Sequence, residues 1–229
     1  MQPRRCAKHR EMLAHGALSD EEVVERVRRG EVTLFEVLMR RLNQRLYRIV
    51  RAILGDDAEV DDVLQETYLS AYAGLGQFAG RAQPSTWIAR IAIHAAYARA
   101  RRRRLMEPTA MNDGMVVPGA VTSPEQLASA RELSELLERA IDGLPEAYRV
   151  VFVMREVEQL DTAATASLLD VSPILVRVRL HRARALLRRA LSRETVSEDA
   201  FRFLRPRCDA LTAAVLGHIH CATGAHHAP

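Results

Sequence analysis

An all-α chain is predicted by three observations on the 229-residue sequence. Apolar residues recur at helical spacing from 19 to 105 and again from 124 to 194, while the alternation of a half-buried strand is nearly absent. Helix start and stop residues punctuate both stretches: Ser19, Gly30, Gly55, Pro84 and Ser172-Pro173. Between them, residues 106–123 (MEPTAMNDGMVVPGAVTS) lose the period and turn to Met, Pro, Gly, Thr and Val. The expected architecture is two small helical domains, 18–105 and 124–194, joined by a flexible linker. A flexible tail at 1–17 precedes them and a helical extension at 195–229 follows.

Taken in order, Ser19-Asp20-Glu21-Glu22 is a capping-box start for a short helix that stops at Gly30. A longer helix covers about 32–54, with Leu34, Val37, Leu38, Leu42, Leu46, Ile49 and Ile53 on its inner face. Gly55 closes it and Asp56 or Asp57 caps the next. That third helix, about 58–72, turns Val60, Leu64, Thr67, Tyr68 and Ala71 inward. Asp62, Gln65 and Glu66 are left together on an outer face. Such an acidic face serves solubility or docks a basic protein surface.

Pro84-Ser85 opens a helix that is apolar nearly all round for three turns and ends in Arg99 and Arg101 to Arg104. Cations suit a helix C-terminus, but five arginines in six residues exceed what a cap needs and point to phosphate contact. Trp87, the one tryptophan, reads by itself as core. The 18-residue linker can span roughly 60 Å at about 3.3 Å per residue.

The second domain begins near Ser123-Pro124 and leads to a helix-turn-helix pattern. A helix follows Leu144, then a connector, a short alanine-rich helix, a tight turn at Asp170-Val171-Ser172, and a long basic helix opening with Pro173. Ser172 can cap that helix, and Pro173 sits where a missing N–H costs nothing. Val176, Leu180, Ala183 and Leu187 make its apolar stripe. At about 100° per residue, Arg177, Val178, His181 and Arg182 then point outward near the helix start, where a recognition helix meets base edges. Arg179, Arg184, Arg188, Arg189 and Arg193 flank that face within reach of phosphates. The bland alternative is a solvated basic face on a bundle helix.

The bulk composition fits this picture: 48% hydrophobic and 27% charged residues make a globular chain, and the net charge of +4 is clustered in the two arginine blocks. Cys6, Cys208 and Cys221 are scattered and odd in number, which argues against a disulfide framework and for a reducing compartment. The spacing of Cys208, His218, His220 and Cys221 fits no standard zinc pattern, so neither a metal nor a cofactor is expected. No run approaches a membrane span and no apolar signal segment follows the basic N-terminus. The expectation is a cytoplasmic, soluble protein.

Both halves together resemble an extracytoplasmic-function (ECF) sigma factor of the sigma-70 family, over about residues 30–105 and 125–192. DDVLQETYLSAY resembles the region 2 helix that docks core RNA polymerase, which implies core-binding roles for Asp62, Gln65 and Glu66. FAGRAQPSTWIARIAIHAAYARARRRR resembles the segment that captures and melts the −10 element. It implies DNA-contact roles for Phe78, Arg81, Thr86, Trp87, Arg90 and His94, with Arg101 and Arg102 on the backbone. Region 4 is resembled by LPEAYRVVFVMREVEQL and by the helix-turn-helix. The implied −35 contacts are Ser172, Arg177, Val178, His181 and Arg182. The chain departs from the family pattern at His94 (usually Asn), Ala98 (often Asp), Pro84 (usually apolar) and Asp170 (commonly Gly).

The resemblance implies a non-enzymatic initiation factor with bacterial core polymerase, promoter DNA and an anti-sigma factor as partners, and no small-molecule substrate. Two other readings compete. A free-standing helix-turn-helix regulator would bind its site without polymerase and would not need the Asp62/Gln65/Glu66 face. A nucleic-acid enzyme would need clustered acids or histidines, for which Asp61, Asp62 and Glu66 are the single candidate.

Overall fold

The computed structural model describes residues 18–106 and 130–191, including all their side chains except those of 130–135. The tail at 1–17, the linker from 107 onward, the C-terminal extension and the three cysteines lie outside the described residues. Within these residues the chain is helical, and two compact units are formed: 18–47 with 61–95, and 48–60 with 96–106 and 130–191. No described helix is long and apolar enough to cross a membrane.

Helix α1 (Asp20–Arg28) starts with the expected capping box. Ser19 Oγ accepts from the Glu22 N–H at 3.2 Å, and Glu22 Oε2 accepts from the Ser19 N–H at 2.7 Å. Gly30, at φ +102°, lets the chain reverse into a 3-10 turn (Val32–Leu34) and then α2 (Phe35–Leu54). Every residue assigned to the inner face of the second helix is buried, from Leu34 to Ile53.

Helices α3 (Val60–Gly74) and α4 (Pro84–Met106) follow, and the first unit takes 61–74 of α3 and 84–95 of α4 with 35–47 of α2. Val60, Val63, Leu64, Thr67, Tyr68 and Ala71 are buried, matching the inner stripe. Phe35 meets Tyr68 and Tyr72 edge-on at 6.3 and 5.5 Å between ring centres. Two buried hydroxyls of α3 are satisfied: Thr67 donates to the Val63 carbonyl at 2.7 Å, and Tyr68 donates to that of Met39 at 3.4 Å. Helix α3 begins two residues later than the sequence suggests. Asp56 Oδ1 takes the Ala58 N–H at 3.1 Å, which closes a local turn before the helix instead of capping it.

The second unit contains α5 (Ala130–Asp142), α6 (Glu146–Phe152), a π turn (Val153–Val157), α7 (Thr162–Leu169) and α8 (Pro173–Ala190). Arg149, on α6, is buried. Its Nε donates to the Ala52 carbonyl at 2.7 Å, and its Nη1 donates to those of Asp142 and Leu144 at 2.8 and 3.2 Å. One guanidinium thus satisfies C-terminal carbonyls that α2 and α5 leave unpaired. Burial pulls its pKa below the usual arginine value, against the opposing charges of Asp142 and Glu146. Arg51 grips Asp142 with two bonds of 2.6 and 2.7 Å and Asp57 with a third of 2.8 Å.

The helix-turn-helix forms as its residues dictate. Asp161 Oδ1 accepts from the Ala164 N–H at 2.7 Å to start α7, and Asp170 ends it in the left-handed region (φ 52°, ψ 49°). The Val171 N–H then donates to the Ala166 carbonyl at 3.1 Å. Ser172 Oγ caps α8 through the Leu175 N–H at 3.2 Å, with Pro173 in the first turn. Asp tolerates the left-handed turn at position 170 where most side chains are strained.

Candidate nucleic-acid interface and docking face

Helix α8 buries Val176, Leu180, Ala183 and Leu187 and leaves Ser172, Arg177, Val178, His181 and Arg182 exposed. The division is the one the helical wheel requires. Of the flanking cations, Arg184 pairs with Glu156 at 2.7 Å and Arg179 is half-buried, whereas Arg188 and Arg189 are exposed. Arg182 stays exposed while it donates to the Tyr148 hydroxyl of α6 at 3.1 Å. Two further exposed residues, Ile174 on this face and Leu175 at its margin, were not among the expected contacts.

A second surface lies in the first unit. Phe78 and Trp87 pack with ring centres 5.1 Å apart and planes tilted by 45°, and both rings are half-buried. Trp87 is therefore neither pure core nor a free platform; its Cζ2 edge closes on Gly74, where an added Cβ would lie 3.3 Å away. Thr86, Arg90 and His94, at i, i+4 and i+8, follow one edge of α4, with Arg90 and His94 exposed; Arg81 is exposed in the preceding loop. Pro84, a departure from the family pattern, is buried as the first residue of α4.

The backbone of this loop is tied to α1 by a residue that sequence reasoning missed. Arg28 Nε donates to the Leu75 carbonyl at 2.9 Å, and its Nη2 donates to those of Gly76 and Phe78 at 3.0 and 2.9 Å. Its partners lie 47 to 50 residues away, so no local spacing could announce them.

The arginine block divides. Arg99 pairs with Glu59 at 3.1 Å, Arg103 with Asp56 and the Leu54 carbonyl at 2.6 Å each, and Arg104 with Glu146. Arg101 and Arg102 are exposed. On α3, Asp62 and Glu66 are exposed and Gln65 is half-buried, so the three share the outward side, while Asp61 is half-buried. Among the described residues no group of three His, Cys, Asp or Glu side chains could hold a metal ion.

A helix-turn-helix with an exposed basic recognition face, borne by a chain built of helices in two units, defines a DNA-binding protein. Residues 38–105 match the family model for sigma-70 region 2, and 134–187 match that for sigma-70, region 4. The RNA polymerase sigma-H factor of Pseudomonas aeruginosa is 32% identical over 180 residues, covering 75% of this chain and 93% of that protein. The ECF RNA polymerase sigma-E factor of Escherichia coli is 31% identical over 175 residues, covering 73% and 91%. The chain belongs to the ECF sigma factors of the sigma-70 family. It directs promoter-specific transcription and is not an enzyme.

Two solved structures share the fold. One is the sigma factor RpoE in complex with the anti-sigma factor NepR from Bartonella quintana (TM-score 0.53, 17% identity, 73% of this chain and 98% of that one). The other is CnrH in complex with the cytosolic domain of CnrY (TM-score 0.54, 22% identity, 77% and 99%).

Proposed function

We propose that Asp62, Gln65 and Glu66 dock the protein on core RNA polymerase, that Ser172, Arg177, Val178, His181 and Arg182 contact the −35 element, and that Phe78, Arg81, Thr86, Trp87, Arg90 and His94 capture the −10 element, with Arg101 and Arg102 on the neighbouring backbone. In this reading the functional domains are 18–105 and 124–194, with 106–123 as linker. The observation that carries it is the division of α8, one apolar stripe buried and the opposite, basic face exposed from its first turn. The half-buried Phe78–Trp87 pair supports the capture of an unstacked base, because an aromatic edge offsets part of the few kcal/mol that unstacking costs.

Work on a promoter puts the protein in the cytoplasm of a bacterium, and the complex of the RpoE relative with NepR supports an anti-sigma factor as a further partner. The experiment is initiation and binding with purified core polymerase, comparing the wild type with Asp62→Ala/Gln65→Ala/Glu66→Ala. Core-dependent initiation that is lost in a variant of unchanged helicity supports the docking face. Tight, sequence-specific DNA binding by the protein alone, with no association with core, would overturn the reading in favour of a free-standing regulator.

A further inference from the structure

Among the described residues, the exposed large hydrophobic side chains are Leu105 and Met106 at the end of α4 and Ile174, Leu175 and Val178 at the start of α8. Ile174 is 66% exposed, Val178 42% and Leu175 37%; apart from Leu105 and Met106, the other large apolar residues among those described are covered or half-covered. Ile174 and Val178 are one turn apart. At about 100° per residue they straddle the direction opposite buried Val176, so they form the centre of the outward face where base edges are met. Arg177 and Arg182, also exposed, flank them on either side.

The charge around this patch defines what covers it. Helix α8 carries Arg177, Arg179, Arg182, Arg184, Arg188 and Arg189 and no Asp or Glu. An occupant must therefore be polyanionic yet present small apolar groups to Ile174 and Val178. The DNA major groove meets both demands, because each thymine displays its C5-methyl there between the phosphate strands.

We propose that Ile174 and Val178 read thymine methyl groups, with Leu175 at the margin of the contact, so that the element bound by α8 carries thymine at the base pairs under the first turn and a half of the helix. The proposal rests on α8 being the recognition helix and adds the chemistry of its selectivity. Hydrogen-bonding readers at these positions would choose among donor and acceptor patterns. An isoleucine and a valine offer neither, and they discriminate by the methyl alone. Burying one methyl group is worth about a fourfold change in affinity.

The test uses the full chain in holoenzyme with bacterial core polymerase. A promoter library randomised across the upstream element is selected, and each thymine of the enriched element is then replaced singly by deoxyuridine, which removes the methyl and keeps every hydrogen-bonding group. The expected result is a loss of about fourfold at one or more thymines, and equal binding of thymine and uracil there by Ile174→Ser and Val178→Ser. Both substitutions are at exposed positions, and the thymine-to-uracil ratio within each variant is unaffected by a general loss of affinity. An enriched element that tolerates uracil everywhere overturns the methyl proposal and leaves α8 as the recognition helix. If no element is enriched, both fall. If the variants weaken association with core polymerase without DNA and show no methyl ratio, the patch docks protein and the proposal is overturned.

Discussion

Arg28 holds the backbone at Phe78: its Nη2 donates to the Phe78 carbonyl at 2.9 Å, and the same guanidinium spans the Leu75 and Gly76 carbonyls. A planar fork with several donors suits three converging carbonyls better than an ammonium does. The residue touches no base in the proposed mechanism; it positions the loop from which Phe78 meets Trp87. Arg28→Ala is expected to remove roughly 1–2 kcal/mol of loop ordering, or about five- to thirtyfold in open complexes. Permanganate reactivity of −10 thymines reports opening, and duplex binding in the upstream element serves as the control. Arg28→Lys should restore part of the signal. A uniform fall in both readouts would mean that Arg28 is only structural.

The cations of α8 should separate into two kinds. Arg177→Ala is expected to cost about 1–3 kcal/mol at one base position if its contact with guanine is bidentate, and so to relax selectivity there. Arg188→Ala, further along the helix, should weaken binding to all sequences alike and lower the salt dependence by roughly one unit of slope. Competition binding at several salt concentrations distinguishes them. The same flat loss for both would make Arg177 a phosphate contact.

Much of this was legible in the sequence because it is local. The stripes Val60–Ala71 and Val176–Leu187 follow from helical period, and Ser19, Gly30, Asp170 and Ser172 each act on backbone groups within a few residues. What the sequence concealed depends on partners far along the chain. The arginines after Arg99 read as one block, yet Arg99, Arg103 and Arg104 are committed to Glu59, Asp56 and Glu146, which only the tertiary fold brings near. The π turn at Val153–Val157 left no periodic signature either. It adds a residue to one turn of an apolar helix without altering which residue types are buried. Ile174 and Leu175 were visible as apolar residues, but their exposure was not.

Gly55 and Arg149 test the packing of the second unit. Gly55 sits at φ +85°, and a Cβ there would lie 3.0 Å from Arg149 Nη2. Gly55→Ala should destabilise by about 1–2 kcal/mol from the left-handed backbone alone, and by more through the displaced guanidinium. Arg149→Ala should cost about 2–4 kcal/mol, since three carbonyls lose a charged donor. The double variant should be less destabilised than the sum, because the clash has gone. Urea unfolding of the four proteins measures this directly, and additivity within about 0.5 kcal/mol would sink the contact.

Tyr97 predicts the behaviour at alkaline pH. Its pKa is pushed up to about 12, first by burial and then by the charge of Glu146, with Arg179 and Arg104 pulling the other way. A raised pKa means that the folded state favours the neutral phenol. The resulting stability is fully present below the ordinary tyrosine value of about 10 and is lost as pH rises towards 12. The loss should be on the order of 2 kcal/mol. Tyr97→Phe cannot ionise, so its stability should fall less over this window, with a remainder from Tyr72, which burial also raises. Urea midpoints at pH 9 and at pH 11.5 give the comparison. Parallel declines for wild type and Tyr97→Phe would show that the phenol is as free to ionise in the folded chain as in the unfolded one, and that its burial against Glu146 carries no stability.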